Sequence, residues 1–260
     1  LFAENPAVLI QVRKSDKVKE FLQAQGLRVF GLGTPHAKRH HPSLQLRLAN
    51  QSFNLNIDHY RDIWYETSFL LDCRQSGEEK AQERYDNYKS QQLGYVFPKG
   101  FIGKAVTTNR KVNAAILREQ GTNGDREMAY SLYLAGFNVK DVHISDLIEG
   151  REDLHDISML VFPGGFANSD VLGSAKGWAG SFIYNPKANK VLKDFFARED
   201  TLSLGVCNGC QLMVELGLIY PDHKDKPQML HNDSHKFESG FVNVNITDNH
   251  SVMLSSLAGT

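Results

Sequence analysis

Leu202-Ser203-Leu204-Gly205-Val206-Cys207-Asn208-Gly209-Cys210-Gln211 reads as a buried strand that breaks into a tight turn and then into a helix. A cysteine two residues after one glycine and two before another, at a strand-to-helix turn, is the pattern of a nucleophile elbow. Gly205 and Gly209 leave room for the sharp bend. The elbow lifts Cys207 above the sheet edge, facing the partial positive charge of the helix N-terminus. There the backbone N–H of Asn208 points toward the oxygen of an attacked carbonyl. The same residues carry other readings. A cysteine is often only a small buried apolar group. Cys207-x-x-Cys210 is also the spacing of a thiol redox pair. With His231 and His235 the string becomes C-x2-C-x20-H-x3-H, a zinc-type set. Its middle gap exceeds the roughly 12–15 residues of the finger pattern, and an apolar helix fills the start of it. Cys73, far off in the chain, reads as a core or helix-surface thiol.

Working outward from the elbow, strands and helices alternate. Apolar strands are expected over 112–117, 137–143, 157–162 and 202–206. Helices are expected over 123–135, with Asn123 as its cap and Gly136 closing it, and over 176–183, 186–197 and 211–216. A further strand is expected over 241–246. The alternation predicts an α/β unit: an open, mostly parallel sheet with helices on both faces. Ligands of such sheets sit beyond the carboxyl ends of the strands. Two unusual loops fall there, the one at Cys207 and Gly164-Gly165-Phe166 after the third strand. Paired with the elbow, the backbone of Gly165 is a second donor for an oxyanion hole.

The first part of the chain reads as α+β. Strands are expected over 7–12 and 28–32, with a helix from Ser15 to a stop at Gly26 between them. A hairpin is expected from the alternating Leu44, Leu46, Leu48 and Phe53, Leu55, Ile57. A packed helix follows over 60–71 and a charged segment over 78–89. These signals divide the chain into 1–93, a Gly- and Pro-bearing linker over 94–111, and 112–260.

Composition sets the outer bounds. The chain has 260 residues, 41% hydrophobic and 23% charged, which excludes disorder as the main state. No apolar run reaches the roughly 18 residues of a spanning helix, so no membrane partner is expected. The net charge of −1 hides an asymmetry: residues 1–111 carry 17 Lys and Arg against 11 Asp and Glu, and 112–260 carry 12 against 19. The densest basic patch, His36-Ala37-Lys38-Arg39-His40-His41, is one short loop, so no nucleic-acid partner is expected. Three cysteines do not make a disulfide framework and favour a reducing, cytoplasmic setting.

The stretch from Gly205 to Gln211 resembles the nucleophile motif of class I glutamine amidotransferases. Further stretches narrow the likeness to the large single-chain phosphoribosylformylglycinamidine synthase family. They are Leu117-Arg118-Glu119-Gln120-Gly121-Thr122-Asn123, Val142 to Leu147, Gly164 to Phe166, Asp170 to Gly173, and Asn232-x-Ser234-x-x-Phe237-Glu238. Leu1 to Glu4, Ile10 to Arg13 and Trp64 to Thr67 resemble the end of that family's synthase part, so the likeness covers nearly the whole chain. It implies an ATP- and magnesium-dependent ligase of purine biosynthesis that turns formylglycinamide ribonucleotide into formylglycinamidine ribonucleotide, with glutamine as nitrogen source. It implies that Cys207 attacks glutamine, that the N–H groups of Gly165 and Asn208 hold the oxyanion, and that Gln211, Asn232, Ser234 and Phe237 line the glutamine pocket. ATP and magnesium belong to upstream synthase domains of the same chain, with no cofactor held by this piece. The family's Arg two residues after the Phe-Glu pair is replaced by Ser239-Gly240. The family's base and carboxylate lie in a late His-Pro-Glu segment, and none of the ten His here is part of a His-x-Glu. The chain therefore reads as a piece of a longer enzyme with little glutaminase turnover alone. The rival readings are a non-catalytic binding module and the thiol redox or metal protein above.

Overall fold

The computed structural model describes residues 5–36, 42–90, 94 and 112–260. They form two compact units, 1–71 and 72–260. The division falls at 71/72, whereas the sequence places a linker over 94–111, which apart from Gly94 lies outside the described residues.

In the first unit, α1 (Ser15–Ala24) precedes an antiparallel hairpin, β1 (Ser43–Leu48) and β2 (Gln51–Asn56), with Leu48 opposite Gln51 across the turn. The α1 cap is Lys14 rather than Ser15, and Gly26 takes a positive φ of 77° just past the helix end. The start of α2 (Ile57–Ser76) is held by the Asn56 side chain, which accepts from the N–H of His59 at 3.0 Å. Residues 7–12 and 28–32 are not strands. Val8, Leu9, Phe30 and Leu32 are exposed. An apolar run becomes a strand only where a neighbour completes its ladder, and among the described residues none does.

The second unit contains the end of α2, then α3 (Glu78–Asn87) and the α/β body. Its sheet is fully parallel, in the order β4-β3-β5-β6, with β3 (Val112–Arg118), β4 (Phe137–His143), β5 (Met159–Phe162) and β6 (Leu202–Gly205). Alternation along the strands sends side chains to two faces. Ala114, Ile116 and Val161 pack against Met128, Ala129 and Leu132 of α4 (Asp125–Leu134). Ala115, Leu117, Leu160 and Phe162 point the other way, into the larger core of α5 (Ile144–Glu149), α6 (Lys176–Ile183), α7 (Pro186–Phe196) and α8 (Asn208–Glu215). Trp178 is fully buried there, edge-on to Phe162 with ring centroids 6.2 Å apart. The sheet thus has helices on both faces, as its sequence pattern predicts. Among the described residues no helix is long and apolar enough to cross a membrane.

Several elements depart from the sequence reading. The α4 cap is Gly124, at φ 84°, not Asn123: the helix begins one residue later, and no side chain caps it. Residues 241–246 form no strand, and Phe241, Val242 and Val244 are exposed. The short α5 has no clear periodicity but has a strong cap. The N–H of Ser145 donates to His143 Nδ1 at 3.2 Å, and Asp146 Oδ2 accepts from the N–H of His143 at 2.9 Å. That backbone bond, and then Arg151, hold the Asp146 carboxyl below its ordinary range. A carboxyl depressed on folding stabilises above its unfolded pKa and loses that contribution as pH falls through the lower folded value. Asp146→Asn is therefore expected to lower the melting temperature by a few degrees at pH 7, for about 1 kcal/mol. The difference should shrink as pH falls below the ordinary carboxylate range, measured by thermal unfolding across pH.

Candidate active site

The site grows from the carboxyl ends of β5 and β6. Val206 donates to the carbonyl of Phe162 at 3.0 Å, which carries the sheet pairing one residue past β6. The chain then reverses at Cys207, whose φ of 53° and ψ of −111° are rare for a residue with a side chain. Such a backbone costs about 1–3 kcal/mol and persists only where its surroundings enforce it. Two close approaches enforce it here. A Cβ on Gly205 would lie 2.7 Å from the carbonyl oxygen of Gly209 and from Met213 Sδ. A Cβ on Gly209 would lie 2.0 Å from the carbonyl oxygen of Phe162. Helix α8 therefore rests directly on the sheet backbone, and Cys207 is left exposed at its N-terminus.

The loop after β5 lies against this cysteine: a Cβ on Gly164 would be 3.1 Å from Cys207 Cβ. The loop after β3 holds it from the other side. Asn123 donates to the carbonyl of Gly164 at 2.8 Å, Phe166 to that of Gly121 at 3.0 Å, and Asn168 to that of Gln120 at 2.8 Å. The first two bonds flank an antiparallel bridge between Thr122 and Gly165. Gly165 is thereby the non-hydrogen-bonded member of the ladder, its N–H turned away from residue 122. The 119–123 loop is itself braced: Glu119 donates to Thr122 Oγ1 at 3.0 Å, and Gln120 donates to Glu119 Oε1 at 2.8 Å.

Asn208 supplies the remaining link. Its side chain is 2% exposed. Oδ1 accepts from the N–H of Ala167 at 3.2 Å, and Nδ2 donates to Gln211 Oε1 at 2.9 Å. Cys207, Gly165, Asn208 and Gln211 are thus on connected segments at one end of the sheet. The sequence reading used only the backbone of Asn208. Its side-chain partner Ala167 lies 41 residues away, and no local spacing signals that pairing.

Asn232, Ser234 and Phe237 are elsewhere in the same unit. Asn232 and Ser234 line a cavity of about 430 Å³ with Lys80, Arg84 and Glu238, while Phe237 is 88% exposed. Asn232 Nδ2 donates to the carbonyl of Lys236 at 2.9 Å. The segment is anchored by ion pairs of Lys236 and Arg84 with the buried Asp72, and of Arg84 with Glu238. No hydrogen bond among the described residues joins 232–237 to Cys207 or Gln211. Cys73, Cys207 and Cys210 are all free thiols. Among the described residues no three His, Cys, Asp or Glu side chains gather into a possible metal site.

An exposed cysteine on a strained strand-to-helix turn, facing a glycine loop at the carboxyl end of a parallel sheet, defines a class. Residues 111–260 match the CobB/CobQ-like glutamine amidotransferase domain, and the chain belongs to that family. Over its whole length it is similar to larger proteins. It is 34% identical to a probable chloroplastic/mitochondrial phosphoribosylformylglycinamidine synthase of Arabidopsis thaliana, covering 100% of this chain and 19% of that one. It is 36% identical to the phosphoribosylformylglycinamidine synthase of Homo sapiens, covering 100% of this chain and 21% of that one. The Dictyostelium discoideum enzyme of the same name is 36% identical over 80% of this chain and 16% of its own. The chain spans about a fifth of the length of these relatives. The solved structure of PurLQS from Thermotoga maritima aligns with 54% of this chain and 57% of its own, at 26% identity and a TM-score of 0.43.

Proposed function

We propose that this chain carries the glutaminase nucleophile of a phosphoribosylformylglycinamidine synthase and that Cys207 is that nucleophile. The observation that carries the reading is the elbow: Cys207 is exposed at φ 53°, at the N-terminus of α8 and against the Gly164 backbone. In this reading the Cys207 sulfur adds to the side-chain amide carbon of glutamine. The N–H groups of Gly165 and Asn208 receive the oxyanion. As the C–N bond breaks, the nitrogen takes up the proton that the thiol gave up and leaves as ammonia, and a γ-glutamyl thioester remains. Water then displaces the sulfur, releasing glutamate and restoring the thiol. Gln211, one turn along α8 from Cys207, contacts the bound glutamine, while Asn232, Ser234 and Phe237 belong to the segment held beside Arg84. The ammonia serves conversion of formylglycinamide ribonucleotide to formylglycinamidine ribonucleotide in purine biosynthesis, in the cytoplasm. ATP and magnesium would supply activation of the formamide oxygen in that conversion, and the residues of this chain would supply the ammonia.

The test is labelling by a chloroketone analogue of glutamine: the thiol sulfur adds to the ketone carbon, leaving an oxyanion where that of glutamine would form, and then shifts to the neighbouring carbon, displacing chloride as the C=O bond re-forms. Mass-spectrometric mapping should find one label per chain, on Cys207 and not on Cys73 or Cys210. L-glutamine should slow the reaction and D-glutamine should not. Cys207→Ser should abolish it. Equal labelling of the three thiols, or labelling indifferent to L-glutamine, would overturn the assignment.

A further inference from the structure

We infer that the Asn208 side chain is a positioning residue that fixes which way the Gln211 amide faces and makes Gln211 a hydrogen-bond donor to glutamine; this rests on the glutaminase reading of the same site. The orientation follows from a chain of obligate partners. The N–H of Ala167 can only donate. The Asn208 atom it meets, at 3.2 Å, must therefore be the carbonyl oxygen. That puts the Asn208 NH2 group toward Gln211, at 2.9 Å, so the Gln211 atom it meets must be the amide oxygen. The Gln211 NH2 group is then the end left over, and among the described residues it has no acceptor. The Gln211 backbone cannot turn to compensate, because its N–H donates to the Cys207 carbonyl at 3.1 Å. Burial keeps water from competing for the Asn208 amide, and a buried amide with one obligate donor on it has no low-energy flipped state. One backbone N–H in the glycine loop thereby sets the polarity of a side chain one helical turn beyond the nucleophile. An oxygen of glutamine is the acceptor that the outward NH2 group suits. The same Asn208 oxygen ties down the loop that carries Gly165.

The relay is tested on the whole chain with the chloroketone analogue, reading the half-saturating concentration KI and the maximal labelling rate kinact separately, with iodoacetamide as a probe that needs no pocket. Gln211→Met removes the outward donor; KI should rise about tenfold while kinact holds. Asn208→Leu releases both the Gln211 amide and the Ala167 N–H; KI should rise by a similar factor and kinact should fall as well. The double variant should have the KI of Asn208→Leu alone, because both changes remove one and the same donor. Iodoacetamide should alkylate Cys207 at a rate within about twofold of the unaltered chain in Gln211→Met. Where Asn208→Leu fails to fold, Asn208→Asp keeps an acceptor for Ala167, loses the donor to Gln211, and should raise KI to the same extent. Cys207-selective labelling of the unaltered chain with KI unchanged in the variants, or with multiplicative KI effects in the double, overturns the relay and leaves the glutaminase reading standing. Unselective labelling of the unaltered chain overturns both.

Discussion

Gly209→Ala is expected to lower the stability of the chain by about 3–5 kcal/mol, a large part of the roughly 5–15 kcal/mol of a typical domain. On helix propensity alone the change favours Ala, by about 1 kcal/mol. Contact reverses the sign. The new methyl would lie 2.0 Å from the Phe162 carbonyl oxygen, 2.6 Å from its carbonyl carbon and 2.8 Å from its Cβ. None of these atoms can yield. Phe162 is fully buried at the end of β5, paired with β6 and packed on Trp178. The other way out is for α8 to lift from the sheet, which uncovers the fully buried Leu212 and breaks the Asn208 contact with Ala167. The melting temperature should drop by roughly 10 °C or more. Gly240→Ala, where a methyl would meet nothing within 4 Å, is the control and should change little. Indistinguishable melts of the two variants would show that α8 is not seated as described.

The same contrast explains what the sequence made legible. The strands β3 and β5 are read from Ala114 to Leu117 and Leu160 to Phe162 because a strand covered on both faces has no polar positions to offer. The elbow is read from Gly205 and Gly209 because close packing of a helix on a sheet tolerates no side chain there. What stays hidden depends on partners distant in sequence. Residues 7–12 and 241–246 are as apolar as true strands, but a ladder needs a neighbour that composition does not report. Asn123 has the residue type of a helix cap, yet Gly124, at a positive φ, occupies the cap position of α4. Asn232 and Ser234 are singled out by family likeness alone. Their surroundings beside Arg84 depend on the burial of Asp72 at the end of α2, which no local pattern announces.

Gly165→Ala is expected to leave the fold largely intact and to cut labelling of Cys207 by the glutamine chloroketone about a hundredfold or more. The φ of Gly165 is 118°, a conformation that side chains disfavour by about 1–3 kcal/mol. A Cβ there would lie 2.3 Å from the nitrogen of Asn123 and 2.8 Å from the carbonyl oxygen of Gly121. Here, unlike at Gly209, the opposing atoms belong to a loop with exposed residues at Gln120, Gly121 and Asn123. The loop can move aside, so the strain relaxes into displacement rather than unfolding. Displacement is what the chemistry does not tolerate. In the proposed reaction the Gly165 N–H serves only while it stays aimed at the oxygen of the attacked group, and loss of one such donor costs on the order of a hundred- to a thousandfold. The thiol itself is untouched: α8 keeps its seat on Phe162, so iodoacetamide should still alkylate Cys207 at nearly the original rate. A large loss toward the glutamine analogue with little loss toward iodoacetamide would assign the effect to the loop. Equal losses would place it in the elbow, and labelling at the original rate would remove Gly165 from the oxyanion site and leave Asn208 as its backbone donor.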